Sequence, residues 1–309
     1  MRDLVSSIGS TPMVELPHLA PSPRIRLYAK LEGSNPTGSV KDRIARAMVS
    51  DALATGALQP GQTILEPSSG NTGISLAMIG RLLGHPVRIV MPDNTTVERE
   101  QLLRLYGAEI IFSPGAEGSN GAIRMAHELL AADPSLFMPY QYGNPANPRA
   151  HELETGPEIL AAVPEVDLFV AGLGTGGTLT GVGRFLKGAR PGVRIVAAEP
   201  LPGEQVQGLR SLEEGFVPPV LDASVLDDRY LVSNRDALLG VRRLMREEGI
   251  FAGLSSGAAL HVALRAAAEM EQGDVVVLLA DGGWKYLSTG IYDRDPDELE
   301  EQLEHSLLW

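Results

Sequence analysis

The chain has 309 residues, of which 44% are apolar and 21% charged, so its composition is that of a globular protein with two domains or one large α/β unit. Its net charge of -13 argues against a protein that binds the phosphates of nucleic acid. The absence of cysteine excludes disulfides, thiolate metal sites and a cysteine nucleophile. The histidines do not fall at metal-ligand spacing, so we expect no metal. No apolar run has the length of a membrane span or the pattern of a signal peptide, and we therefore expect a cytoplasmic protein that does not contact a membrane.

The first predicted strand, residues 25–31, leads into the stretch Asn-Pro-Thr-Gly-Ser-Val-Lys-Asp-Arg at 35–43. Apolar residues at helical spacing follow it, so Lys41 lies where a turn enters a helix, with Ser39 as the candidate N-cap. The positive end of the helix dipole disfavours an ammonium and lowers the pKa of the lysine, as a Schiff-base or general-base lysine requires. Judged by position alone, an ordinary solvated lysine is the commoner interpretation.

From residue 63 onward, short apolar segments alternate with longer segments at helical spacing. The predicted strands are 63–66, 87–91, 109–112, a segment near 137, 168–171, 194–198 and 275–279. The predicted helices are 74–83, 97–106, 122–132, one after the glycine-rich loop at 172–178, 237–247, 258–269 and a last one after Pro296. This alternation predicts the α/β class with parallel, doubly wound sheets, and residues 143–145 are the predicted break between two halves.

The glycine-rich loop at 172–178 follows a predicted strand and opens a helix. Its backbone N–H groups can converge on an anion, and the helix N-terminus adds a favourable potential, so we predict a phosphate site. The loop also satisfies the dinucleotide pattern G-x-G-x-x-G, and Glu199 lies where a ribose-binding acid is expected. An NAD(P)-dependent oxidoreductase is therefore the alternative from a different class of enzyme.

A second loop, residues 68–73, also joins a predicted strand to a helix. It offers hydroxyls, an amide and free N–H groups, which suit a carboxylate, although a simple capped turn would also explain it. A reactive lysine, a phosphate site and a carboxylate site together indicate a pyridoxal phosphate enzyme that acts on amino acids. A dehydrogenase would leave Lys41 and this second loop without a role.

Five segments of the chain together are similar to those of cysteine synthases, in the tryptophan synthase β-like group of pyridoxal-phosphate enzymes. They are residues 35–43, 67–73, 172–178, 253–258 and 285–289. The resemblance extends over nearly the whole chain and implies two doubly wound domains. It implies a smaller, mobile domain of residues 1–12 and 35–145 and a larger, cofactor-binding domain of residues 13–34 and 146–309. A homodimer is also implied.

The resemblance assigns functions to individual residues. It implies that Lys41 forms the internal aldimine with pyridoxal 5'-phosphate and removes the substrate's α-proton. Asn71 would bond the ring hydroxyl and Ser255 would face the pyridine nitrogen. The cofactor phosphate would be held by Gly174, Thr175, Gly176, Gly177 and Thr178. The substrate carboxylate would be bound by Ser68, Ser69, Gly70, Thr72 and Gln141. The implied reaction is a β-replacement through an aminoacrylate, in which a sulfur nucleophile gives L-cysteine.

The leaving group of the substrate depends on Arg210, which resembles the arginine of the branch that uses O-phosphoserine. A guanidinium suits a phosphate, but a pair between Arg210 and Glu213 or Glu214 is the structural alternative, and O-acetylserine stays open as the substrate. The segment 303–309 also resembles that branch, which suggests that Trp309 covers the site. The sulfur donor is sulfide, thiosulfate or a thiocarboxylated carrier protein.

Other functions of the same fold stay open at this stage. A serine or threonine ammonia-lyase and a cystathionine β-synthase-like enzyme would use the same lysine and the same two loops. A catalytically silent binding protein is a further alternative, which the intact set of Lys41, Asn71, Gly176 and Ser255 disfavours.

Overall fold

The computed structural model describes residues 3–68, 70–204, 206–297 and 299. The strands are β1 Met13–Glu15, β2 Ile25–Leu31, β3 Ile64–Pro67, β4 Val87–Pro92, β5 Glu109–Ser113, β6 Val166–Gly172, β7 Arg194–Pro200, β8 Asp228–Val232 and β9 Gly273–Leu279. The longer helices are α1 Lys41–Thr55, α2 Asn71–Leu83, α3 Val97–Leu105, α4 Gly118–Ala132, α5 Ala146–Ala150, α6 Gly156–Ala162, α7 Gly177–Ala189, α8 Asn234–Glu248 and α9 Leu254–Ala267. The predicted α/β class is confirmed.

The larger sheet has six strands in the order β1-β2-β9-β6-β7-β8. All neighbouring strands are parallel except the edge pair β1 and β2, which is antiparallel. The two edge strands, β1 and β8, were not predicted, because β1 has only three residues and β8 carries charged residues in place of an apolar run.

The smaller sheet contains β3, β4 and β5, all parallel. The strand predicted near residue 137 is reduced to a single parallel bridge between Phe137 and Ile64. Each strand of this sheet ends in a turn that leads to a helix, as its sequence predicts. Helix α2, for example, ends at Leu83 and is followed by Gly84 in the left-handed conformation, which glycine adopts without a steric penalty.

The core of the larger unit lies on both faces of the six-stranded sheet. Successive side chains of the central strand β9 alternate between the two faces, so Val275 and Val277 pack with α8 and α9, while Val276 and Leu278 pack with α6 and α7. A strand that is buried on both faces needs a continuous apolar run, and β9 has one. The smaller sheet has its own apolar cluster with α1, α2 and α3.

The end of the described chain is a short helical turn after Pro296. Asp295 accepts a hydrogen bond from the backbone N–H of Asp297 at 2.8 Å, so this acid sits at a helix start, where we predicted one. Among the helices of the described part, none is long and apolar enough to cross a membrane.

Candidate active site

A cavity lies at the carboxyl ends of strands from both sheets. In parallel sheets these ends are the usual place for a ligand, because loops and helix N-termini meet there. The cavity brings together side chains from segments far apart in the sequence, namely Lys41, Ser68, Asn71, Thr72, Arg99, Gln141, Tyr142, Thr175, Arg210 and Ser255. A second cavity shares Lys41, Thr175 and Ser255 and extends toward Thr178.

Lys41 is the first residue of α1, as predicted, but the N-cap is Val40 and not Ser39. Ser39 is still extended, because it pairs with Asp281 in an isolated antiparallel bridge. Its hydroxyl instead accepts a weak hydrogen bond from the backbone N–H of Lys41 at 3.3 Å. The N-cap therefore lies one residue after the predicted one, and the residue before it pairs with the loop that follows β9.

The side chain of Lys41 is half-buried against the cavity. Within the described chain, its Nζ forms no hydrogen bond or ion pair. Burial lowers its pKa, while the carboxylates of Asp281 and Glu32 act in the opposite direction. We attributed the lowered pKa to the helix dipole, but burial is the main cause. A solvated surface lysine is thus the wrong interpretation, and a partly buried amine with a lowered pKa that lines the cavity is the one that the structure supports.

The glycine-rich loop between β6 and α7 forms an anion cradle. In the described chain, the backbone N–H groups of Gly174, Thr175 and Gly176 have no hydrogen-bond acceptor. Gly176 has a φ of +82°, and a Cβ on Gly174 would lie 2.7 Å from the carbonyl oxygen of Gly208. These two positions therefore require glycine. The hydroxyl groups of Thr175 and Thr178 face the same space.

The ribose-binding function of Glu199 is wrong. Its side chain is fully buried, and one carboxylate oxygen accepts a hydrogen bond from the backbone N–H of Leu212 at 2.7 Å. The other forms an ion pair with Arg229 at 2.9 Å. Glu199 therefore anchors the segment around Leu212, which continues from the cavity wall, and does not face a ligand. This removes the main support for a dinucleotide site.

The loop between β3 and α2 is held by its own hydroxyl. The Oγ atom of Ser68 accepts hydrogen bonds from the N–H groups of Gly70 at 3.2 Å and Gly73 at 3.0 Å. Thr72 donates to Oε1 of Gln141 at 2.6 Å, so two of the residues predicted to bind a carboxylate contact each other. Asn71 and Thr72, the first two residues of α2, line the cavity, and backbone N–H groups in the first turn of a helix are potential donors. Ser69 lies outside the described residues.

A buried carboxyl group that we did not predict holds Gln141 in place. Glu66, in β3, is fully buried, and its two oxygens accept hydrogen bonds from the backbone N–H groups of Tyr140 at 2.7 Å and Gln141 at 2.9 Å. Burial raises its pKa to about 8, and the two backbone hydrogen bonds act against this rise. A lone acid within an apolar strand was the signal that could have revealed it.

Replacement of Glu66 by glutamine is expected to lower the free energy of unfolding by about 1–3 kcal/mol. The new amide NH₂ would face one backbone N–H, which would lose its acceptor, and Gln141 would shift. Urea unfolding and a titration with an amino-acid substrate analogue measure both effects. Glu109→Gln, at an exposed site of the same sheet, is the matched control and should change the free energy by less than about 0.5 kcal/mol. Unchanged stability of the Glu66 variant would contradict this assignment.

Asn71 and Ser255 reach the cavity from two helix N-termini. The Asn71 amide is fixed by two buried partners that we did not predict, because Oδ1 accepts from Lys285 Nζ at 2.6 Å and Nδ2 donates to Asp281 at 2.8 Å. The hydroxyl of Ser255, in the first turn of α9, forms no hydrogen bond within the described chain and can serve a ligand. Both predicted residues are therefore near Lys41.

Arg210 lies at one wall of the cavity and is only 8% exposed. Its Nη1 donates to Asn120 Oδ1 at 2.9 Å, and its guanidinium stacks on Tyr142 and Phe216 at 5.6 and 4.7 Å from the ring centres. It forms no ion pair with any described side chain, so the alternative pair with Glu213 is wrong, while the side chain of Glu214 lies outside the described part. The segment 303–309, with Trp309, lies outside the described residues.

These residues fit pyridoxal phosphate. The free N–H groups and hydroxyls of the glycine-rich loop suit a phosphate, and the amine of Lys41 suits an aldehyde. The free hydroxyl of Ser255 suits a ring nitrogen. The N-terminus of α2, with the hydroxyl of Thr72, suits the carboxylate of an amino acid.

Comparisons with known proteins agree with this site. Residues 4–282 match the family model described as pyridoxal-phosphate dependent enzyme. The chain is 44% identical to the cysteine synthase of Staphylococcus aureus over 303 residues, which are 95% of this chain and 97% of that protein. It is also similar to the crystal structure of an O-ureido-L-serine synthase, with 44% identity, a TM-score of 0.89 and 95% of both chains covered. O-acetylserine sulfhydrylase isoform 3 of Entamoeba histolytica is 37% identical, with a TM-score of 0.87 and coverage of 100% of this chain and 96% of that one.

Proposed function

Because the chain belongs to the family of pyridoxal-phosphate dependent enzymes, we propose that it is a cysteine synthase. In this reaction the substituent on the β-carbon of a serine derivative is replaced by a sulfur nucleophile, and L-cysteine is formed. One observation carries the proposal most strongly. The half-buried amine of Lys41, which has no hydrogen-bond or ion-pair partner in the described chain, lies in one cavity with the glycine-rich loop and the first residues of α2. No dinucleotide is needed to explain any of these groups.

Each group then has a chemical task. Bound through Lys41, pyridoxal phosphate supplies a conjugated ring that takes up negative charge from the α-carbon of the substrate. The loop 174–178 holds the phosphate, and Ser255 faces the ring nitrogen. The N-terminus of α2, with Ser68, Ser69, Gly70, Thr72 and Gln141, binds the substrate carboxylate. Burial lowers the pKa of Lys41, which favours the uncharged form of the amine that can take the α-proton at Nζ.

The test is an absorbance spectrum of the purified protein, followed by an assay of cysteine formation. We expect a visible band from the bound cofactor that changes when O-phosphoserine or O-acetylserine is added. When sulfide is then supplied, we expect cysteine to form. Ammonia and a 2-oxo acid in place of cysteine would indicate an ammonia-lyase. The absence of a visible band after incubation with pyridoxal phosphate would overturn the proposal.

O-phosphoserine is the donor that the position of Arg210 favours. Its guanidinium is buried between two aromatic rings, beside the cavity, and has no carboxylate partner in the described chain. A phosphate dianion would supply the missing negative charge and accept two parallel hydrogen bonds. The leaving group of O-acetylserine is an uncharged acetyl ester, so it would gain little from the guanidinium.

Replacement of Arg210 by methionine is expected to lower kcat/KM for O-phosphoserine by about 10- to 100-fold, the usual effect of losing a charged hydrogen bond. The value for O-acetylserine should stay within a few-fold of the wild type, because methionine keeps much of the packing against Tyr142 and Phe216. Steady-state kinetics with both donors measure the ratio. An equal loss for both donors would show that Arg210 only shapes the cavity.

Other parts of the proposal rest on the sequence resemblance and on the arrangement of the sheets. Sulfide, thiosulfate or a thiocarboxylated carrier protein supplies the sulfur, and the enzyme is a cytoplasmic homodimer. The smaller domain is formed by residues 1–12 and 35–145, and the larger by 13–34 and 146–309. This division is supported by the sheets, since β3, β4 and β5 all lie between residues 64 and 113 and every other strand lies outside that range.

A further inference from the structure

Lys285 is a second buried lysine beside the cavity, and the proposed reaction gives it no task. It lies in the 3₁₀ helix Gly283–Thr289, which follows β9, and its side chain is fully buried. Its Nζ donates a hydrogen bond of 2.6 Å to Oδ1 of Asn71 and a weaker one of 3.3 Å to the carbonyl oxygen of Gly38. Burying an ammonium is unfavourable unless the charge is compensated. A lysine buried at this position therefore needs a structural or functional reason.

The contacts of Lys285 determine how the Asn71 amide is oriented. An ammonium can only donate hydrogen bonds, so the amide oxygen must face Lys285. A carboxylate can only accept them, and Oδ2 of Asp281 accepts from the amide nitrogen at 2.8 Å. The reversed amide would place NH₂ against an ammonium and oxygen against a carboxylate. One orientation is thus strongly favoured.

This orientation leaves one N–H of Asn71 free at the cavity. The amide nitrogen has two hydrogens, of which Asp281 accepts one, and in the described chain the other has no acceptor. Asn71 lines the same cavity as Lys41. A donor in this place would meet an oxygen atom of a molecule bound there.

We propose that Lys285 is a positioning residue, which fixes the Asn71 amide so that its free N–H is presented to an oxygen atom of the bound cofactor. The identity of that cofactor rests on the proposed function, whereas the orientation of the amide does not. Lys285 acts through Asn71 and does not itself line the cavity.

The surroundings of Lys285 hold its ammonium in this place. Asp281 faces it from the loop after β9 and Asp42 from α1, while Arg99 faces it from α3. Asp281 is only 2% exposed and also accepts a hydrogen bond from the hydroxyl of Tyr286 at 2.9 Å. Burial lowers the pKa of Lys285 to about 8, and the two carboxylates act against this fall, so the side chain is still mostly an ammonium at pH 7. The backbone carbonyl of Lys285 accepts a hydrogen bond from the Thr96 hydroxyl at 2.9 Å, which ties this turn to the start of α3.

The proposal is tested with Lys285→Met, which keeps the length of the side chain but removes its donors, and with Lys285→Arg, which keeps them. Pyridoxal phosphate is titrated into each protein after removal of cofactor, and the dissociation constant and the position of the visible band are measured. We expect a dissociation constant at least tenfold higher for Lys285→Met, with a displaced band. Lys285→Arg should stay within about threefold of the wild type in affinity, with the wild-type band.

Two further variants isolate the effect. Lys30→Met removes another buried ammonium, which pairs with Glu158 and not with Asn71, and it should leave affinity and band unchanged. Asn71→Ala should weaken binding as well, and adding Lys285→Met to it should cause little further loss, because the two residues act as one unit. Additive losses in the double variant would overturn the proposal.

Protein folding is checked by circular dichroism and thermal melting. If Lys285→Met does not fold, Lys285→Gln is used, whose amide can either donate or accept and so no longer selects one orientation of Asn71. A folded variant of either kind with the wild-type affinity and band would also overturn the proposal. A wild-type protein that binds no pyridoxal phosphate at all would instead overturn the proposed function.

Discussion

Replacement of Lys41 by alanine is expected to remove the visible band of the bound cofactor and to lower kcat/KM for cysteine formation by at least about 1,000-fold, within the range for loss of a general base that also forms a covalent bond. The amine of Lys41 is the group that can both bond an aldehyde and move the α-proton. The spectrum and steady-state kinetics of the purified variant measure the two effects.

The same variant should keep its fold. Lys41 has no hydrogen-bond or ion-pair partner in the described chain, so the protein gains little stability from its amine and bears the cost of burying it. When both proteins are compared free of cofactor, we therefore expect the variant to have an unchanged or slightly higher melting temperature, together with the loss of activity. Lys187→Ala, at an exposed ion pair on α7, is the control and should retain full activity. A Lys41 variant with substantial turnover would contradict the proposed function.

Replacement of Arg43 by methionine is expected to lower the free energy of unfolding by about 3–5 kcal/mol, the usual effect of removing one partner of a buried ion pair. Arg43 is fully buried and binds Glu32 through Nε and Nη2 at 2.8 and 2.9 Å. It also binds Glu158 through Nη1 and Nη2 at 2.8 and 2.7 Å. Without the guanidinium, Glu32 would be buried with no positive charge of comparable proximity.

The loss of unfolding free energy in the Arg43→Met variant should depend on pH. Burial alone would raise the pKa of Glu158, but the hydrogen bonds and charge of Arg43, with a contribution from Lys30, lower it to about 2. A carboxyl group with a lowered pKa stabilises the fold above the pKa of the unfolded chain, and this stabilisation is lost as the pH falls toward 2. For Glu158 it amounts to about 3 kcal/mol. The difference between wild type and variant should therefore shrink on acidification.

Urea unfolding at pH 7 and pH 3 measures this change. Arg104→Met removes an exposed pair with Glu100 on α3 and serves as the control, with an expected loss below about 0.5 kcal/mol at both values. An Arg43 variant that is as stable as the wild type at pH 7 would show that water or a shifted side chain replaces the guanidinium.

Parts of the fold with a clear local pattern were predictable from the sequence, and parts without one were not. The strands and helices between residues 63 and 132 follow apolar runs bounded by glycine and proline, and their predicted ends were close to those observed. The segment 146–162 was not predicted as helical because it contains Pro148, Gly156 and Pro157. A proline is tolerated in the first turn of a helix, where its missing N–H would have no partner, and Pro157 lies in such a turn.

The residues of the candidate site also fall into those that leave a local sequence pattern and those that do not. Lys41 and the two loops could be found because glycines and helix starts leave a local signal. Asp281 and Lys285 carry no such signal, since their importance comes from contacts between distant segments. The hydrogen bond between Lys285 and Asn71 spans 214 residues of sequence. For Glu199 the local pattern was present, but tertiary contacts gave the residue a structural function.

The order of strands in the larger sheet has a consequence for the synthesis of the chain. Strand β9 is the last in sequence but lies between β2 and β6, so the sheet stays in two pieces until residue 279 has left the ribosome. Until then the edges of β2 and β6 that β9 will cover present unpaired backbone groups to other nascent chains. The smaller sheet, complete by residue 113, can form much earlier during translation. We therefore expect the two sheets to form at different times, with β9 as the last strand to be inserted.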